Sequence, residues 1–170
     1  MVESETKWCK RDAEWIKNTV RGGKMFIGEY EHSVDPKGRV IMPSKFREEL
    51  GSTFYVTKGL EQCLYVYSAS EWDKIQQKLN ELPITTNPKA GAFVRFFLSG
   101  ACACEADKQG RILIPNKLKE YAHIDKQVTS IGVSTRVEIW SAERWSEYCN
   151  SDNLSPEDMA ANMDLIGLKF

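Results

Sequence analysis

The chain has 170 residues, 42% hydrophobic and 28% charged, with a net charge of −1. That is enough apolar material for one or two small domains with a core. No apolar run approaches a membrane-spanning length, and residues 1–24 lack the apolar stretch of a secretory signal, which argues against both classes.

Residues 1–24 stand apart from the rest of the chain. They end in Gly22-Gly23-Lys24 before Met25 and have no counterpart elsewhere in the sequence. Consecutive glycines there read as the in-frame translation of a purine-rich ribosome-binding site. Met25 is therefore the expected start, and residues 1–24 a leader that is non-native or disordered. The rival is a basic arm touching DNA phosphates, which its modest excess of bases over acids disfavours.

From residue 25 the first unit reads strand, turn, strand, helix, strand, strand, helix. Residues 30–34 form a short strand. Asp35-Pro36-Lys37-Gly38 has turn chemistry, with Asp first, Pro pre-set for the second place and Gly where φ > 0 is wanted. A type I turn followed by a glycine bulge in a hairpin is expected. Residues 39–42 return as a strand. Pro43 breaks the ladder, and a helix over 44–50 brings Phe46 and Leu50 onto one face before Gly51 stops it. The β-rich runs 54–57 and 64–67 are strands, and 70–82 is a helix ended by Pro83.

A second unit repeats that order. Helix 88–98 leads to strand 100–105, a turn over 107–110, strand 111–114, helix 116–122, and strands 128–133 and 137–140. The phrase Val34-Asp35-Pro36-Lys37-Gly38-Arg39-Val40-Ile41-Met42-Pro43-Ser44-Lys45 returns as Ala106-Asp107-Lys108-Gln109-Gly110-Arg111-Ile112-Leu113-Ile114-Pro115-Asn116-Lys117, 72 residues later and without a gap. Ser68-Ala69 and Trp72 recur as Ser141-Ala142 and Trp145, at an offset of 73. Such a period marks an internal duplication. The units are 25–83 and 84–150, followed by a helical tail, 151–170, whose start is signposted by Ser155 as cap, Pro156 and Asp158. Neither repeat is large enough to bury a sufficient core alone. The two are expected to share one pseudo-two-fold, β-barrel-like core with short helices around it.

Charge is local. Residues 35–47 carry four basic residues against one acid, as do 107–119, so each window is +3 within a neutral chain. Arg39 and Arg111 follow a turn glycine, where a guanidinium reaches two acceptors of a guanine in the major groove. The alternative is an arginine that pairs with Asp35 or Asp107 across the turn and only holds it. Asp35 and Asp107 are read as capping the turn and orienting the arginine. Lys37, Lys108, Lys45 and Lys117 are candidates for phosphate contact, or else ordinary surface lysines.

The five cysteines, Cys9, Cys63, Cys102, Cys104 and Cys149, are odd in number and lack C-x-x-C spacing. A disulfide framework is not expected, and a reducing cytoplasm is. Cys102 and Cys104 fall on one face of a strand as small core residues. No metal, cofactor or small-molecule substrate is expected, and no nucleophile-and-base pairing or phosphate loop points to an enzyme. Trp72 and Trp145 are read as packing a helix on the core, and Phe93, Phe96 and Phe97 as core or interface.

The duplicated V-D-x-x-G-R-[VI]-x-[MI]-P phrase, Met25-Phe26-Ile27-Gly28-Glu29-Tyr30 and Arg95-Phe96-Phe97-Leu98-Ser99-Gly100 together resemble the MraZ transcriptional regulators, over residues 25 to about 163. The resemblance implies a duplicated AbrB-like swapped-hairpin β-barrel. It implies a homo-oligomeric ring of octamer type, cytoplasmic and nucleoid-associated, that binds double-stranded DNA at direct repeats in the promoter of a division and cell-wall gene cluster. It places DNA contact on the two Asp-x-x-x-Arg phrases, Asp35/Arg39 and Asp107/Arg111. The alternative is an AbrB-like protein–protein module, an antitoxin-type subunit whose amphipathic acidic tail holds a partner.

Overall fold

A computed structural model describes residues 25–151 and 154–168. The expectations for the leader fall outside the described residues. The first repeat supplies β1 (Glu29–Ser33), β2 (Arg39–Ile41), α1 (Ser44–Leu50), β3 (Thr53–Lys58), β4 (Leu64–Ser68) and α2 (Ala69–Asn80). The second supplies α3 (Pro88–Ser99), β5 (Cys102–Glu105), β6 (Arg111–Leu113), α4 (Asn116–Tyr121), β7 (Gln127–Val133), β8 (Arg136–Ser141) and α5 (Ala142–Cys149), and α6 (Pro156–Asn162) lies in the tail. The architecture is sheet-dominated, with short helices and two repeats.

Local chemistry places most element ends. Gly51, at φ +82°, ends α1 by donating its N–H to the Arg47 carbonyl. Ser68 accepts from the Glu71 N–H at the start of α2, and Asn87 accepts from the Lys89 and Ala90 amides before Pro88 opens α3. At α6, Ser155 accepts from the Asp158 N–H at 3.1 Å and donates its hydroxyl to the Asp158 carboxylate at 2.6 Å, a reciprocal cap. Helix α5, for which the sequence pattern gives no span beyond reading Trp145 as packing a helix, is the repeat equivalent of the start of α2.

The pairing exchanges elements between the repeats. The larger sheet is antiparallel, in the order β1-β7-β8-β4-β3-β5, and β2 pairs with β6 in a separate ribbon. The order is palindromic: β1 of the first repeat completes the β7–β8 hairpin of the second, and β5 completes β3–β4 of the first. The central seam joins β4 to β8, with Val66 opposite Val137 and Leu64 opposite Ile139. The turns at 35–38 and 107–110 form as expected, but their flanking strands do not make the expected hairpin ladder. Each instead pairs with a strand of the other repeat. A strand's backbone groups accept any complementary edge, so the choice falls to which apolar faces meet.

One core belongs to both repeats. Val40, Met42, Phe46 and Leu50 and their equivalents 72 residues later, Ile112, Ile114, Leu118 and Ala122, are all buried in a single cluster with Phe54, Val66 and Ile139. Each large side chain removed from water there stabilises the fold by roughly 1.5–3 kcal/mol. Phe26 joins this core, held by paired backbone bonds to Ser134 of 2.7 and 3.0 Å. Gly132 permits that crossing, because a Cβ there would strike the backbone of Phe26 and Ile27. The opposite sheet face carries α2, α3 and α5 over a second cluster. Trp72 stacks on Tyr55 at 5.1 Å and on Phe97 at 5.6 Å. Trp72 and Phe97 are therefore core residues, whereas Phe93 and Leu98 face outward from α3.

Candidate nucleic-acid interface

Both Asp-x-x-x-Arg phrases fold into the same object. Asp35 Oδ1 accepts the backbone N–H of Lys37 at 2.9 Å and of Arg39 at 2.8 Å, while Oδ2 accepts from Arg39 Nε at 2.6 Å. Asp107 repeats this with the Gln109 and Arg111 amides, both at 2.9 Å, and Arg111 Nε at 2.8 Å. Backbone bonds from Gly38 to Asp35 and from Gly110 to Asp107 close the turns, with φ +79° and +78° at the glycines. The Arg39 backbone N–H, assisted by its guanidinium, holds the Asp35 carboxyl below the usual carboxylate range, and Arg111 does the same for Asp107.

The arginine–aspartate pairing across the turn is thus present in both copies, and it uses only one edge of each guanidinium. Nε is committed to the carboxylate, while the terminal Nη groups make no hydrogen bond to the described residues. The aspartate fixes the side chain through Nε and leaves the two Nη groups without a hydrogen bond to the described residues. Arg39 and Arg111 remain partly exposed.

The β2–β6 ribbon gathers the two sites. Its register sets Arg39 opposite Leu113, Val40 opposite Ile112, and Ile41 opposite Arg111. Side chains alternate along a strand, so buried Val40 and Ile112 hold the ribbon down while Arg39, Ile41, Arg111 and Leu113 share its outer face. Arg39 Nη1 lies 3.9 Å from Asp107 Oδ2, so the two turns adjoin. Ile41 is 41% exposed and Leu113 61%, so the outer face carries two aliphatic side chains beside the two arginines. Lys37 and Lys108 stand exposed on the turns, and Lys45 and Lys117 in the first turns of α1 and α4.

Four residues escape the sequence reading as parts of this surface. Arg47 donates Nε to the Met42 carbonyl at 2.9 Å and lays its guanidinium against Gly110, where a Cβ would stand 2.6 Å from Cζ. Lys119, 72 residues on, occupies the equivalent space against Gly38. Each repeat therefore supports the other's turn with a cation. The other two are Ile41 and Leu113. Their signal is the duplication itself, since both pairs keep their places in the two copies.

The family model described as "MraZ protein, putative antitoxin-like" matches this chain twice, over residues 25–95 and 97–166. The chain is 59% identical over 140 residues to the "Transcriptional regulator MraZ" of Caldanaerobacter subterraneus subsp. tengcongensis, covering 82% of this chain and 97% of that protein. It is 55% identical over 144 residues to proteins of the same name in Alkaliphilus metalliredigens and Acetivibrio thermocellus, covering 85% of this chain and all of each relative. The chain belongs to the MraZ family.

Proposed function

We propose that this protein is a transcription regulator that binds double-stranded DNA sequence-specifically through the outer face of the β2–β6 ribbon. The observation that carries the reading is the convergence of two aspartate-held arginines on that one face. A two-stranded ribbon fits the major groove, where each guanidinium meets O6 and N7 of a guanine. The exposed Ile41 and Leu113 between them suit the methyl groups of thymine. Lys37, Lys45, Lys108 and Lys117 serve as phosphate contacts, which position the ribbon without specifying sequence. The exchange of β1 and β5 between repeats, with the crossed ribbon, supports a swapped-hairpin barrel of the AbrB type.

A neutral chain with one such ribbon binds weakly alone. Homo-oligomerisation, as a ring of octamer type, raises affinity on promoter direct repeats, because every engagement after the first is effectively intramolecular. The exposed Phe93 and Leu98 of α3 are the proposed subunit contact. The proposed target is the promoter of a division and cell-wall gene cluster, and the protein is cytoplasmic and nucleoid-associated. None of the described helices is long and apolar enough to cross a membrane. A gel shift with the DNA upstream of the gene, against a scrambled duplex, tests the reading. Equal binding to both duplexes overturns sequence-specific recognition. Light scattering tests the oligomer: Phe93→Ser with Leu98→Ser should lower the particle mass, and a wild-type monomer would refute it.

The tail favours a second reading. Met159, Leu165, Ile166 and Leu168 are exposed beyond the second repeat, which suits an antitoxin-type module holding a protein partner. A stoichiometric partner lost on tail truncation, without specific DNA binding, would support it over the first.

A further inference from the structure

We propose that Cys102 and Cys104 form a modification site, a dithiol that a hydroperoxide converts reversibly into an intrachain disulfide. The two residues lie on β5, at the end of the six-stranded sheet, opposite Val56 and Phe54 of β3. Ala103 and Glu105 are exposed, whereas both sulfurs turn to the other face and stand 3.6 Å apart. Cys104 packs in the shared core, and Cys102 beside it is only half-buried, so an oxidant reaches one thiol and its neighbour waits alongside. The fold does not demand sulfur here. The equivalent places in the first repeat are Tyr30 and His32, and the same strand forms.

The two thiols are electronically unlike. The hydrogen bond between the two thiols holds Cys102 below the ordinary thiol range. That same bond, with burial, pushes Cys104 up. Elsewhere burial raises the Cys63 thiol to about 12, and Cys149, though exposed, is also shifted up. Among these thiols Cys102 is the one shifted down, and it is more exposed than Cys104 or Cys63.

The chemistry balances in two steps. The Cys102 thiolate attacks the terminal peroxide oxygen and the O–O bond breaks. The sulfur becomes a sulfenic acid and the remaining oxygen, taking up a proton, leaves as an alcohol, or as water from hydrogen peroxide. The Cys104 sulfur then attacks the sulfenic sulfur, the S–S bond forms, and the hydroxyl departs with the Cys104 proton as water. Two thiols are oxidised and one hydroperoxide is reduced. An extended strand separates Cα atoms two residues apart by about 6.6 Å, near the upper end, about 6.8 Å, of what a disulfide spans. The bond closes under strain and is correspondingly easy to reduce, which suits a reversible mark. Its nearer end, Cys104, is three residues before Asp107, which puts it beside the second arginine turn.

The test is peptide mapping of the full-length protein, reduced, exposed to a small excess of hydrogen peroxide, alkylated and cleaved with trypsin. Residues 96–108 form one tryptic peptide holding both cysteines. It should lose two hydrogens and resist alkylation until a dithiol reductant is added, while the peptides of Cys63 and Cys149 stay alkylated. Cys104→Ser should leave a sulfenic acid on Cys102 that dimedone traps. Cys102→Ser should leave Cys104 unmodified. A 96–108 peptide still doubly alkylated when Cys149 has been oxidised overturns the proposal, as does a Cys102 that joins only another molecule. If Cys104→Ser fails to fold, the wild-type map decides alone.

Discussion

Replacing both turn arginines by lysine separates a reader from a strut. In each turn Nε of the arginine holds the aspartate, and on the proposed reading the Nη pair is what meets the guanine. A lysine ammonium keeps the charge but cannot hold the carboxylate and present a planar fork together. Each lost guanine fork should reduce discrimination by about 1–3 kcal/mol, or about 5- to 150-fold per site. Arg39→Lys with Arg111→Lys should therefore collapse the ratio of specific to scrambled binding. The slope of affinity against salt should stay near wild type, since phosphate neutralisation is preserved. The double alanine variant should lose both. Fold damage should be slight. The backbone amides of residues 39 and 111 still bond the aspartates, and the ion pairs, a quarter to a third exposed, are the weakly stabilising kind. Fluorescence anisotropy on operator and scrambled duplexes across a salt series reads both quantities, and calorimetry gives the melting temperature. A lysine double variant with wild-type specificity would refute the fork reading. A large fall in melting temperature with unchanged specificity would make the arginines struts.

If Ile41 and Leu113 touch thymine methyls, deoxyuridine in place of thymidine should weaken operator binding by wild type but not by Ile41→Ala with Leu113→Ala; equal losses in both proteins would refute the contact. Gly110→Val should cost roughly 1–3 kcal/mol, since residue 110 sits at φ +78° and the new side chain strikes the Arg47 guanidinium. Calorimetry showing unchanged stability would mean that the turn does not need a left-handed residue. Trp72→Ala removes a buried ring stacked on Tyr55 and Phe97, and about 3–5 kcal/mol of stability should go with it in a urea titration; a negligible loss would place that ring outside the cooperative core. The depressed Asp35 and Asp107 carboxyls stabilise the fold above the ordinary carboxylate range, and that contribution is lost as pH falls through their lowered values. The wild-type melting temperature should therefore drop more steeply with acid than that of Asp35→Asn with Asp107→Asn, and parallel curves would contradict it.

The sequence by itself determined what depends on neighbouring residues. The 72-residue duplication, the Asp-to-Gly turns with positive φ, the Ser155-Pro156-Asp158 cap and most element spans are short-range chemistry, and each is written where it acts. The aspartate–arginine bond, four residues apart, was visible as one of two alternatives. Tertiary structure decided the rest. Whether β1 pairs with β2 or with β7 is invisible locally, because strand backbones are chemically alike and only long-range burial selects the partner. That selection crosses the ribbon, puts Arg39 and Arg111 on one face with Ile41 and Leu113, and sets Arg47 and Lys119 against each other's turns. It also divides the aromatic residues, burying Trp72 and Phe97 while leaving Phe93 outside. Alternation alone put Cys102 and Cys104 on one face, but their 3.6 Å separation and unequal exposure come from how β5 lies at the sheet's end, over a core that both repeats build.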